Sequence, residues 1–195
     1  MKFLSVMFIF LSASISYSAS GLFIEPYFAY EKSTAEVDLG PLQPDGDLEG
    51  WGAGIRLGAH VNDVFFAGID GIYSDLALKD DSDDNNDLDT RSWLLGPVVG
   101  MQTPYAGVRV WIAYYLLGKI DMDRTDDSYN IGYKDPKIWK LGAGVRAGPV
   151  SLNAEYLTGK YTTFEVDNLG PLTGDYDNEA KREGFLVSVS FPYSL

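Results

Sequence analysis

Residues 51–58 read Trp51-Gly52-Ala53-Gly54-Ile55-Arg56-Leu57-Gly58. Side chains on an extended strand point alternately to its two faces. Here Trp51, Ala53, Ile55 and Leu57 share one face, and Gly52, Gly54, Arg56 and Gly58 share the other. One face is apolar; the other is small and carries a charge. The pattern recurs at 142–148 as Gly142-Ala-Gly-Val-Arg-Ala-Gly148 and, without the arginine, at Gly96-Pro-Val-Val-Gly100. Convergent packing of small residues accounts for the repeat.

Working outward, alternating stretches fall near 22–32, 49–59, 64–77, 91–102, 107–120, 137–147, 150–162 and 184–193, which makes eight strands. Each is about 10 to 14 residues long, enough to cross a bilayer as a tilted strand. Short turns at His60–Asp63, Thr103–Ala106 and Gly148–Pro149 alternate with long polar connections at 33–48, 78–90, 121–136 and 163–183. Short turns on one side and long loops on the other are the signature of an all-β, eight-stranded antiparallel up-and-down transmembrane β-barrel. Most of the 28 acidic residues fall in the long connections. With both termini periplasmic, those connections are acidic extracellular loops.

The periodicity leaves open which face is inside. A soluble lipocalin-like binding barrel turns its apolar face inward; a membrane barrel turns it to lipid. The second arrangement is expected. The polar face is rich in glycine, which suits the crowded lumen of eight strands. Its charges nearly balance, with Arg56, Arg109 and Arg146 against Glu25, Asp70 and Glu155, as an enclosed network requires. Tyr27, Trp111 and Tyr115 share that face, so the expected interior is plugged. Lys119 is assigned to the same face.

Residues 1–20 read as a signal peptide, with Lys2 as the positive region, an apolar run from Phe3 to Ile15, and small residues permitting cleavage after Ser18 or Ser20. The barrel then occupies 21–195. The apolar run is shorter than the roughly 20 residues of a membrane-spanning helix. There is no Cys, hence no disulfide, thiolate site or lipid-anchoring cysteine. A net charge of −13 argues against a nucleic-acid partner.

Little chemistry is visible. His60 is the only histidine and falls in an expected periplasmic turn, so no His-centred catalytic group can face the outer leaflet. The chain is expected not to be an enzyme and to need no cofactor. Asp80, Asp81, Asp83, Asp84 and Asp87 supply hard oxygen ligands for a divalent cation, but without the glycine and terminal glutamate of a calcium loop. A solvated charged loop is the expected reading, with no assigned metal. Glu36-Val-Asp-Leu-Gly-Pro-Leu42 echoes Glu165-Val-Asp-Asn-Leu-Gly-Pro-Leu172, in loops that a closed barrel makes neighbours.

At the C-terminus, Val187, Val189, Phe191, Tyr193 and Leu195 alternate up to the last residue. The series resembles the terminal signal read by the outer-membrane assembly machinery, with Tyr193 at the aromatic position. Leu195 stands where that pattern usually has Phe, and Pro192 is unusual within it. Together with the export signal and eight strands, the chain resembles small outer-membrane barrels of the OmpA/OmpX type. The resemblance implies a bacterial outer-membrane location and a monomer among lipid and lipopolysaccharide, with a structural or surface-interaction role. A narrow small-solute channel is the alternative.

Overall fold

The structure, a computed structural model, describes residues 19–37, 45–61, 64–79, 88–103, 107–123, 130–167 and 174–195. Residues 1–18 of the expected signal peptide at 1–20 and the acidic run Asp80, Asp81, Asp83, Asp84 and Asp87 lie outside them, as does most of the loop echo. Ala19 and Ser20 belong to the first strand.

The elements are β1 (Ala19–Val37), β2 (Asp45–Val61), β3 (Phe65–Lys79), β4 (Leu88–Gln102), β5 (Val108–Tyr115), β6 (Leu117–Asp123), β7 (Asn130–Ala147), β8 (Val150–Asp167), β9 (Gly174–Ser190) and β10 (Tyr193–Ser194). Every pairing is antiparallel, and β1 closes the ring on β9 and β10. β5 and β6 are two halves of one barrel strand, as are β9 and β10, so the ten segments form a closed eight-stranded barrel.

The apolar face is outside. Phe28, Trp51, Ile69, Leu152 and Val187 are each at least half exposed. Near one end of this surface the ladder places Tyr30 opposite Trp51, Tyr73 opposite Trp93, Tyr114 opposite Trp139 and Tyr156 opposite Phe185. Aromatic rings thus encircle the barrel, as they do where membrane meets water. The phenol hydroxyls of Tyr30 and Tyr156 donate to Glu49 and Glu183, on the side away from the belt. From Phe65 to Tyr73 the wall covers about 27 Å of strand at roughly 3.4 Å per residue. A tilt of about 40° brings this to about 20 Å along the membrane normal, near the usual apolar band of about 25 Å.

The strands are longer than their alternation suggested. Hydrogen-bonded ladder continues beyond the aromatic ring to Val37, Asp45, Asp123, Asn130, Asp167 and Gly174. There the outward residues, such as Lys32, Asp75, Asp89 and Glu179, meet water, so the apolar half of the pattern disappears while the strand goes on.

Two local features change side-chain directions. Leu116 lies between β5 and β6, and both Leu116 and Leu117 point outward (48% and 58% exposed). This extra residue shifts the alternation, which corrects the sequence assignment of Lys119: it faces outward while Ile120 is buried inside. His60, expected in a turn, lies in β2 opposite Phe66 and is buried inside the barrel.

Candidate functional site

The interior holds the chemistry. Register brings Glu25 opposite Arg56, and Arg56 opposite Asp70, across β1, β2 and β3. The Arg56 guanidinium lies 3.1 Å from Glu25 and 3.6 Å from Asp70, and it donates to Glu155 from the far wall. Arg109 grips Glu25 with two parallel bonds of 2.9 and 2.7 Å. That fork is the strong geometry for an arginine and a carboxylate. Lys140 lies 2.6 Å from Asp70 and 3.5 Å from Glu155. Asp70 also accepts from Tyr27 (2.8 Å) and Tyr115 (3.1 Å). Three carboxylates and three cations form the group, all within 3% of complete burial. Arg56 is further sandwiched between the rings of Tyr27 and Trp111, each 4.5 Å away.

The glycines of the repeated motif make room for these rings. A methyl group on Gly54 would lie 2.2 Å from Tyr27, and one on Gly142 would lie 2.1 Å from Trp111. The aromatic side chains lie across glycines of the neighbouring strand and cover its backbone.

A second ion pair sits nearer the end that carries the long connections. Arg182 donates to Glu31 at 3.0 and 2.5 Å, and to Ser92 and Tyr161 at 2.8 and 3.0 Å. Ser33 adds a bond to Glu31 at 2.7 Å. Ala29, Ile72, Leu94, Ile138 and Leu157, all buried, come between the two polar layers along their strands. Beyond the second layer the inner wall turns apolar at Ala35, Leu48, Leu76, Ile120, Tyr133 and Val166. At the opposite end, near the short turns, Asn153 donates to Ser188 and Ser190, at 3.1 and 3.0 Å.

Of the six residues expected in the lumen network, Glu25, Arg56, Asp70, Arg109 and Glu155 meet. Arg146 does not: it donates to the carbonyls of Gly148 (3.0 Å) and Pro192 (3.3 Å). β2 runs three residues past Gly58, whereas β7 ends at Ala147, so the second copy of the motif lies closer to the rim. Lys140 takes the third cationic place. Lys140 shares the parity of Gly142, Gly144 and Arg146 but is no part of the expected network, and Arg182 falls in the expected connection at 163–183. The signal for Arg182 was its even spacing with Gly184, Leu186, Ser188 and Ser190.

At the expected assembly signal, β9 stops before Phe191 and Pro192, and β10 resumes against β1. The Phe191 and Leu195 amides donate to Pro26 and Leu22, while the Tyr193 and Leu195 side chains point outward.

Among the described residues no group of three or more His, Asp or Glu could hold a metal. Inside the barrel each carboxylate is already neutralised by a cation. His60 packs 4.8 Å from Phe23, ring to ring.

No protein-family model matches the chain, and no curated protein matches it in sequence. Solved structures do match. Neisserial surface protein A (NspA) is 15% identical, with 90% of this chain and 99% of that one covered at a TM-score of 0.52. Ail, the attachment invasion locus protein of Yersinia pestis, is 14% identical, covers 89% and 99%, and scores 0.54. The outer membrane protein OprG of Pseudomonas aeruginosa is 9% identical, covers 91% and 98%, and scores 0.50. Outward apolar belt, aromatic ring, polar interior and these likenesses together give the chain the fold of the small eight-stranded outer-membrane β-barrels.

Proposed function

We propose that this is a non-catalytic outer-membrane barrel whose interior is closed by its own side chains, and that it acts through its extracellular wall and loops. The buried group of Glu25, Arg56, Asp70, Arg109, Lys140 and Glu155 carries the reading. A conducting pore keeps its charged groups wet. Here the charges neutralise one another across the lumen, and Trp111, Tyr27 and Tyr115 fill the space between them. An eight-stranded barrel has only enough interior for such side chains. No cofactor is required. The partners are outer-leaflet lipid, the assembly machinery during insertion, and whatever meets the acidic loops.

Planar-bilayer recording tests the closure. Pure protein should give no stable unitary current. Reproducible single-channel steps that change size in Arg56→Met protein would overturn the closed lumen and establish the channel.

A further inference from the structure

The two charged layers of the interior differ in how fully the protein satisfies them. In the Glu31–Arg182 layer every guanidinium nitrogen has a partner. Nε and one terminal nitrogen meet Glu31, and the other meets Ser92 and Tyr161. In the six-charge layer four buried atoms meet no hydrogen-bond partner among the described residues: Arg56 Nε, Arg109 Nε, Trp111 Nε1 and Glu155 Oε2. Arg56 Nε lies 3.6 Å from Asp70, and Glu155 Oε2 lies 3.5 Å from Lys140, both too far for a hydrogen bond. Buried polar groups of native proteins are completed by enclosed water where the chain does not complete them.

Register brings a donor and an acceptor of this set together. Trp111 is opposite Gly142, and Gly142 is opposite Glu155. The indole lies over the glycine, where a methyl group would be 2.4 Å from Trp111 Nε1. Glu155 is the next inward side chain along the row, with neighbouring Cβ positions about 5 Å apart. An unpartnered N–H and an unpartnered carboxylate oxygen therefore flank one glycine, at the span of two hydrogen bonds through a single oxygen. Arg109 shares the inner face of β5, its guanidinium carbon 5.3 Å from the Trp111 ring. A group seated here must accept from nitrogen and donate to a carboxylate. The arginines repel a metal cation and Glu155 repels an anion, whereas water does both tasks. On the short-turn side the inner wall stays polar through Ser151, Asn153, Ser188 and Ser190 to the half-buried Arg146. On the other side stands the apolar shelf of Ala29, Ile72, Leu94, Ile138 and Leu157. Apolar enclosures stay dry.

We propose that the six-charge layer is a binding site for enclosed water, which bridges Trp111 Nε1 to Glu155 Oε2 and reaches Arg109 Nε. This water exchanges with bulk from the short-turn end. The apolar shelf above it, and not the charges, is the barrier along the barrel, and the Glu31–Arg182 layer beyond is dry. The lower half of the lumen is thus a hydrated dead end. The position of the barrier rests on the closed lumen proposed above; the water site does not.

The wild-type barrel tests this without any variant that must fold. With tryptophan and arginine labelled with nitrogen-15 in perdeuterated micelles, magnetisation transfer from water reports which N–H protons touch it. Trp51, Trp93 and Trp139 are on the outer wall, so Trp111 supplies the one interior indole signal, assigned by its loss in Trp111→Phe. Trp111 Nε1–H and Arg109 Nε–H should show contact with long-lived water, and Arg182 Nε–H should show none. Leu157→Ser, which puts a hydroxyl into the shelf, should give Arg182 a water contact. A crystal structure that resolves water should place one oxygen within about 3.2 Å of both Trp111 Nε1 and Glu155 Oε2. A dry Trp111 indole, or protein partners for both atoms in that crystal, would overturn the water site. Equal water contact at Arg182 and Trp111, or a dry Arg182 in Leu157→Ser, would overturn the shelf as the barrier. Unitary current across a bilayer is a separate readout: it would remove closure and leave the water contacts of the lower layer standing.

Discussion

Arg56 is the residue on which the interior turns. It touches all three carboxylates of the lower layer, whereas Arg109 reaches only Glu25. Arg56→Met should therefore leave three buried carboxylates to two cations, with Glu155 keeping only Lys140 at 3.5 Å, and cost about 3–5 kcal/mol. Arg109→Met should cost less, since Glu25 keeps Arg56, and Arg146→Met should be nearly neutral. Urea unfolding in lipid vesicles, followed by heat-modified gel mobility, ranks the three; an Arg146→Met variant as unstable as Arg56→Met would refute the network as drawn. A second residue reports on the mouth of the barrel. Burial pushes the Tyr133 phenol from 10.0 up to about 12. The raised value favours the neutral form in the folded state. Its contribution is thus complete below pH 10 and lost as pH rises through about 12. Wild type should lose more stability across that window than Tyr133→Phe, and identical alkaline profiles would contradict this. Most members of the lower layer could be read from the sequence by parity alone. Which charges meet depends on barrel stagger and on how far each strand runs, and these separated Arg146 from the group and brought in Lys140.

At the scale of strands, the informative element is the interrupted one, β5 and β6. Leu116 adds a residue, and everything after it changes face. Deleting Leu116 would restore one register, turning Lys119 and Asp121 inward and Ile120 outward. The deletion should abolish the compact, heat-modifiable form on gels, while Leu116→Ala, which keeps the count, should preserve it. A folded deletion variant would show that the bulge is dispensable. No sequence pattern announced this bulge, because two successive leucines on a lipid face look like ordinary alternation with one polar position lost. Strand ends were hidden for a related reason. The alternation was read from apolar residues facing lipid, and past the aromatic ring the outward neighbour is water. The inner positions Leu48 and Leu76 did preserve the period there. The eight segments and their order were legible because short turns and long connections alternate without exception.

On the scale of the whole molecule, the barrel is a stack of layers: a hydroxyl and amide floor, a six-charge plane, an apolar shelf, the Glu31–Arg182 pair and an apolar mouth. Three carboxylates meet three cations in one plane, and one meets one in the other, so each plane is neutral by itself. The absence of unitary current that the proposed closure predicts would be a property of this stack rather than of any single residue. Its wall is completed by a seam between β1 and β9, where Val37 lies opposite Ala180 and Tyr27 opposite Ser190. Those partners are separated by nearly the full length of the chain, and neither edge has another strand to pair with. That seam sets the order of events in time. Local hairpins can form early, but contacts this remote in sequence come late and slowly, so the cylinder shuts only when the final strand has been delivered. Until then both edges present unsatisfied backbone, and the chain must be shielded from its own kind on the way to the membrane.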